Sequence, residues 1–291
     1  MNIQDMPLPA GGPILLLDRT ANIEVTDVLE HFAMDELLCK QTGEGGPAIC
    51  HVWRHPGSFI MGSRDSRLPA TGSATEALRT SGLDPVVRHS GGAAVPLDLG
   101  VVNVSLILPL IPDLRRQDFH RDFLYMVTLI RKAVSYACAV AGAEQVTVEA
   151  GEIEGAFCPG DYDLSIGGRK FCGIAQRRQR KAFIVQAFVI VEGSGSARAR
   201  MVRSFYDTAA AGADPKQYPF VVPEHTASLE ELTDIGSGAE ATVRFIEAVK
   251  AIIRSGHAGQ DLSPAASRLV LPDEGAIKET AAKLRKRYER P

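Results

Sequence analysis

The stretch "FCPGDYDLSIGGRKFCGIAQRRQR", residues 157–180, places two thiols and one amine inside what reads as a small β-hairpin. Cys158 precedes a Pro-Gly turn, Lys170 follows a Gly-Gly turn, and Cys172 lies two residues beyond the lysine. A free thiol, with a pKa near ~8.5, is only about 3% thiolate at neutral pH and is a weak nucleophile in that state. An ammonium within ~4 Å favours the anion and would supply the reactive form without a histidine base. The residue types alone leave open which cysteine is concerned, and small apolar cysteines also simply fill sheets.

A two-residue loop at Gly167-Gly168 would pair Ile166 with Arg169 and Ser165 with Lys170. Alternation then groups Leu164, Ile166 and Phe171 on a core face, with Asp163, Ser165, Lys170 and Cys172 opposite. Whether that second face meets protein or solvent stays open. The proline after Cys158 biases the cysteine toward extended geometry.

A second block, "RHSGGAAVPLDLG" (88–100), joins two predicted strands through Ser90-Gly91-Gly92. Paired glycines permit positive φ and let backbone N–H groups approach an anion or a carbonyl oxygen closely. Arg88 and Asp98 flank the turn as a candidate ion pair. No P-loop or dinucleotide fingerprint is present. His51 and His55 lie four apart on a strand-turn segment, so they do not share a helix face as metal ligands would, and no histidine completes a triad by spacing.

These groups need elements to hold them. Strands are predicted at 14–19, 48–54, 58–62, 85–89, 101–110, 145–150, 162–166, 169–174 and 182–191. Helices are predicted at 27–40 with Thr26 as N-cap, then at 75–82, 118–141, 197–210, 228–232 and 239–255. Cys39, at the end of the first helix, and Cys138, on the apolar stripe of the third, are expected to pack. The final "AIKETAAKLRKRYER" reads as a charged helix with a solvated face. Strands grouped mid-chain between helices favour an α+β class over a regular βαβ array. The expected division is a tail and first strand over 1–25, one catalytic domain over 26–255, and a linker and helix over 256–291.

The bulk composition excludes several classes. The chain has 291 residues, 45% apolar and 23% charged, with a net charge of −3, so nothing global points to nucleic acid or an anionic membrane. Five cysteines without CxxC spacing suggest neither a disulfide framework nor a zinc site, and fit a reducing compartment. The N-terminal "MNIQDMPLPAGGP" reads as a loose tail without signal-peptide features, and no run reaches the ~20 apolar residues of a membrane span. A soluble, cytoplasmic protein is expected.

Together the two blocks resemble the lipoate/octanoate transferase family, which shares its catalytic domain with lipoate–protein and biotin–protein ligases. The glycine-rich block of that family appears here as Arg88, Ser90, Gly91, Gly92, Ala94, Val95, Asp98, Gly100, Asn103 and Ser105. Its lysine block appears as Gly168, Lys170, Gly173, Ala175, Gln176 and Arg177. Within that family the resemblance is to the amidotransferases of lipoate assembly, through "WRHPGSFIMGSRDSRLP", "FCPGDYDLSIGGRKFCGIAQRR" and "GSGSARARMVRSFYDTA". It implies a central mixed or antiparallel sheet flanked by helices, with a helical C-terminal segment. It implies that Cys158 carries the acyl thioester, that Lys170 lowers the pKa of that thiol, and that Cys172 is a bystander. The Ser90–Ala93 turn becomes a candidate carbonyl or oxyanion contact, making Arg88, Ser90, Gly91, Gly92 and Ala93 substrate-binding candidates. The implied donor is octanoylated glycine cleavage H protein and the implied acceptor a lipoyl domain of a 2-oxoacid dehydrogenase, with no cofactor, metal or ATP. Ala93 and Leu97 depart from the ligase pattern, which commonly has glycine and histidine there. The alternatives are a transferase loading H protein from acyl carrier protein, an ATP-dependent lipoate ligase, and a non-catalytic lipoyl-domain binder.

Overall fold

The structure, a computed structural model, describes residues 12–110 and 119–288. The expected loose tail, but for its last two residues, and the expected helix start at Asp118 lie outside the described residues. A seven-stranded sheet is built from β1 (Ile14–Arg19), β2 (Ala48–Trp53), β6 (Val101–Pro109), β10 (Ala182–Ile190), β9 (Arg169–Arg178), β8 (Leu164–Ile166) and β7 (Glu149–Ala150), in that spatial order. Only β1 and β2 run parallel within it. A smaller sheet holds β3 (Gly57–Met61) between β4 (Asp84–Val87), parallel to it, and β5 (Val95–Asp98), antiparallel. The helices are α1 (Leu29–Gly43), α2 (Thr71–Thr80), α3 (Phe119–Ala141), α4 (Gly195–Ala209), α5 (Leu229–Leu232), α6 (Ala239–Ser255), α7 (Ser263–Ala266) and α8 (Glu274–Tyr288). This is the expected α+β arrangement with a mixed sheet and a helical C-terminal segment.

The run "VVNVSLILP" lacks a plain apolar-polar alternation because β6 is buried on both faces. Val102, Val104, Leu106 and Leu108 join one apolar cluster with α3 and α6, while Val101 and Ile107 join the other with α1, α2 and α4. Asn103 and Ser105 fall on the α1 side by the same period of two, and there they line a cavity. On β10, Ile184, Phe188 and Ile190 belong to the α1-side cluster and Gln186 reaches Asp35 of α1.

Several expected elements come out differently. Thr26 does not cap α1; the Asp27 carboxylate accepts from the Leu29 N–H at 2.9 Å instead. Helix α2 begins four residues before its predicted start. Of the strand expected over 145–150, only Glu149 and Ala150 pair, on an exposed edge, while Val146 and Val148 pack half-buried against the α3–α6 cluster without ladder partners among the described residues. Strand β5 was hidden within the glycine-rich block. Helix α8 is not merely a solvated face: Ile277, Ala281 and Leu284 are buried in the α1-side cluster, and Arg285 pairs with Asp27 at 2.8 Å.

Candidate active site

The β8–β9 hairpin has the expected register, Ile166 opposite Arg169 and Ser165 opposite Lys170. Gly167 and Gly168 have φ of 56° and 74°, the left-handed geometry that a two-residue type I′ loop demands. One residue further the register shifts, and Leu164 lies opposite Cys172. Phe171 is thus an extra, bulged residue, and a bulge re-aims the side chains around it. Cys172 consequently packs with Phe171 and Leu164 in the α3–α6 cluster, whereas Lys170 points to the other side between Phe157 and Phe188. The expected sharing of one face by Lys170 and Cys172 is corrected by that bulge. Burial also pushes the Cys172 thiol far above the usual range, which makes it a poor nucleophile.

Lys170 is fully buried. Its Nζ donates to Phe157 O at 2.9 Å, Cys158 O at 2.6 Å and Asp163 Oδ2 at 2.6 Å. Burial raises the Asp163 carboxyl to about 6 against the lowering pull of Lys170 and the Gly160 N–H. The two carbonyls that Lys170 binds flank the nucleophile position, and Cys158 has φ of 50°. That is a left-handed conformation, not the extended one expected before proline. It is costly for a non-glycine residue and persists because its surroundings impose it.

Opposite Cys158 lies the glycine-rich turn. Arg88 follows β4, and its Nη2 donates to Ala93 O at 2.8 Å and to Cys158 Sγ at 3.1 Å. The Ala93 N–H donates to the same sulfur at 3.2 Å. Gly92, at φ of 107°, gives the sulfur room: a Cβ there would lie 2.1 Å from Arg88 Nη2 and 3.0 Å from Sγ. The next N–H, of Ala94, donates to the Tyr206 hydroxyl at 3.1 Å, which in turn donates to Asp65 Oδ1 at 2.9 Å. Asp65 is also bound by Gly62 N at 2.7 Å, so α4 and the β3–α2 connection brace the turn from behind.

Arg88, Gly91, Gly92 and Cys158 line a cavity of about 410 Å³, within the ~300–1,000 Å³ of small-molecule sites. Phe32, Ile60, Val95, Leu97 and Phe188 make much of its wall apolar. Trp53 and Asn103, cross-strand neighbours on β2 and β6, also line it, and their Nε1 and Nδ2 atoms have no partner among the described residues. Its sheet side is braced by Asp35, which accepts from Ser105 Oγ at 2.6 Å and Gln186 Nε2 at 2.8 Å and pairs with His51 at 2.8 Å.

The structure thus brings Cys158, Lys170, Arg88, Gly92 and Ala93 together, with Gly91 on the cavity wall; the Ser90 hydroxyl is buried without a partner among the described residues. It does not pair Arg88 with Asp98, which instead takes a bidentate contact from Arg198 at 2.6 and 2.8 Å. Sequence reasoning missed Asp65, Tyr206 and the role of Asp163; all three lie in stretches that carry the resemblance, "SRDSRLP", "RSFYDTA" and "CPGDYD", but nothing local shows that the first two meet. No cluster of three or more His, Cys, Asp or Glu side chains is arranged for a metal among the described residues.

Comparison with known proteins bears on what this cavity serves. Residues 27–253 match the model of the lipoyl protein ligase A/B catalytic domain. The chain is 42% identical over 218 residues to the octanoyl-[GcvH]:protein N-octanoyltransferase of Exiguobacterium sibiricum, covering 75% of this chain and 76% of that one. It is 42% identical over 219 residues to the enzyme of that name from Geobacillus kaustophilus, covering 75% and 74%. In fold it is similar to lipoate-protein ligase A bound with ATP, with a TM-score of 0.59 and 19% identity over 97% of each chain. It is also similar to a bi-partite lipoate protein ligase from Thermoplasma acidophilum, with a TM-score of 0.56 and 19% identity over 96% of this chain and 94% of that one.

Proposed function

Because the chain belongs to the lipoyl protein ligase A/B catalytic-domain family and, within it, to the octanoyl-[GcvH]:protein N-octanoyltransferases, we propose that it exchanges an octanoyl group between protein lysines through a thioester on Cys158. The donor is the octanoyl-lysyl amide of glycine cleavage H protein and the acceptor a lysine on a lipoyl domain of a 2-oxoacid dehydrogenase, with residues 26–255 as the catalytic unit. The observation that carries this reading is the position of Sγ. It opens onto a largely apolar cavity while two N–H donors, of Arg88 and Ala93, converge on it.

The chemistry follows from those contacts. Hydrogen bonds from a guanidinium and a peptide N–H favour anionic over protonated sulfur. The thiolate attacks the amide carbonyl carbon, the C–S bond forms, the C–N bond breaks, and the donor lysine leaves as an amine after gaining a proton. The acceptor amine then attacks the thioester, loses a proton, and returns sulfur as the leaving group. Amide is exchanged for amide, so no nucleotide is consumed. Once acylated, the sulfur no longer holds charge, and the Ala93 N–H becomes available to the acyl oxygen in the tetrahedral states. The apolar wall suits an eight-carbon tail.

The deciding experiment supplies an apo lipoyl domain with octanoyl-H protein, octanoyl-acyl carrier protein, or octanoate with ATP and magnesium. Transfer from octanoyl-H protein without nucleotide, with a hydroxylamine-labile octanoyl mass on Cys158, is expected. Cys158→Ser abolishes both and Cys172→Ala retains both. An adduct on Cys172, activity only with ATP, or transfer mainly from the carrier protein each overturns the reading.

A further inference from the structure

We propose that the cation serving the Cys158 thiolate is Arg88, and that Lys170 acts as a positioning residue that fixes the backbone of Cys158. The inference rests on the thioester reading for its meaning in turnover, but its geometry stands without it.

The contacts divide the two cations. An ammonium has three N–H donors. Those of Lys170 have three acceptors at 2.6–2.9 Å, two carbonyls and one carboxylate, so none remains for sulfur. Asp163 also balances its charge. Lys170 is further held through its backbone, whose carbonyl accepts from Ala227 N at 2.9 Å. Two of its contacts are the carbonyls on either side of the Cys158 N–H and Cα. The ammonium therefore clamps the peptide groups that impose the left-handed cysteine, and touches no reacting atom.

Arg88 is the complement. It is 7% exposed, and no carboxylate lies within ion-pair distance of it among the described residues. Asp65 feels the guanidinium at longer range, but its oxygens accept from Gly62 N and Tyr206 OH instead. A buried charge with no counter-charge in contact is expensive. The one group in contact with Arg88 that can become an anion is the Cys158 thiol, 3.1 Å from Nη2. Ionising that sulfur neutralises the guanidinium as well, and the Ala93 carbonyl at 2.8 Å fixes the nitrogen in line for it.

The test reads thiolate reactivity directly, with iodoacetamide as a neutral alkylating probe at pH 7 and the ultraviolet thiolate absorbance followed against pH. Arg88→Met should slow alkylation of Cys158 at least about tenfold and move the thiolate absorbance to higher pH. In Arg88→Ala, added guanidinium ion should restore much of the rate and ammonium should not. Lys170→Met should lose octanoyl transfer yet keep alkylation within about threefold of the parent, less than one unit of charge effect would carry. Because that substitution strands the Asp163 carboxylate, the neutral pair Lys170→Met/Asp163→Asn repeats the measurement in a charge-balanced background. Arg88→Met alkylating as fast as the parent would overturn the proposal. So would a tenfold loss in both lysine variants with Arg88→Met unaffected. Cys158→Ser that still transfers octanoate would overturn the thioester reading while leaving the Arg88 result standing.

Discussion

Gly92 is where a single methyl group separates a competent sulfur from a displaced one. A Cβ would sit 2.1 Å from Arg88 Nη2, at a φ of 107° that L side chains avoid. Gly92→Ala should therefore move the guanidinium and the turn and lower transfer on the order of 10²-fold, as an error of about an ångström does in a catalytic site. Thermal melting should move far less, because the strain falls on a loop; an unchanged transfer rate would show that the turn does not hold the sulfur. At this scale the sequence is legible where candidate residues lie in consecutive blocks. The blocks that hold Cys158, Lys170 and the Ser90–Ala93 turn do meet in the structure. Proximity in sequence suggests Asp98 as the partner of Arg88, whereas the side chain that Arg88 contacts is 70 residues away. Tyr206 and Asp65, 141 residues apart, carry no local mark of their meeting.

Elements were legible when their own period matched their burial. The type I′ loop, β10 and α6 follow from local chemistry alone. The bulge at Phe171 does not, because it is imposed by which core each neighbour must enter, and it decides that Lys170 rather than Cys172 meets the loop that carries Cys158. Helix α8 is hard to read for a related reason. Its composition is mostly charged, so the three residues that face α1 give only a faint stripe. Leu284 is 8% exposed, and Leu284→Ala should cost about 2–4 kcal/mol by deletion of buried methyl groups. Helix α1 carries Phe32 into the cavity wall, so the same variant should also raise the KM for octanoyl-H protein. A lowered melting temperature with unchanged kinetics would confine α8 to stability.

For the molecule as a whole, acid response is set by buried titratable groups with opposite signs. Burial, with His51 and His55 nearby, holds His31 neutral down to about 2 against an ordinary 6.5, so the folded state binds fewer protons than the unfolded one over that range. Stability from this group is present above pH 6.5 and falls by about 1.4 kcal/mol per unit below it. Asp163 runs the other way: its raised carboxyl adds stability as pH falls from about 6 toward 3.8. Glu36, pushed up by burial but held at about 2 by His89 and Arg177, loses its contribution as pH falls from 4.5. The clean measurement is a difference. His31→Phe keeps the stack on Trp53, 4.4 Å between centroids, and removes one titration, so its stability relative to the parent should rise by about 1.4 kcal/mol per unit below pH 6.5. A flat difference would contradict the assignment. The seven-stranded sheet also divides the interior into two cores, and Cys158 belongs to only one. Val134, Ala137, Phe245 and Val249, where α3 packs on α6, do not line the cavity, although Phe123 of α3 and Ala187 of β10, from the same cluster side, do. Changes at those four positions are therefore felt as abundance in the cell, whereas equal changes at side chains lining the cavity, from either face of the sheet, are judged by turnover.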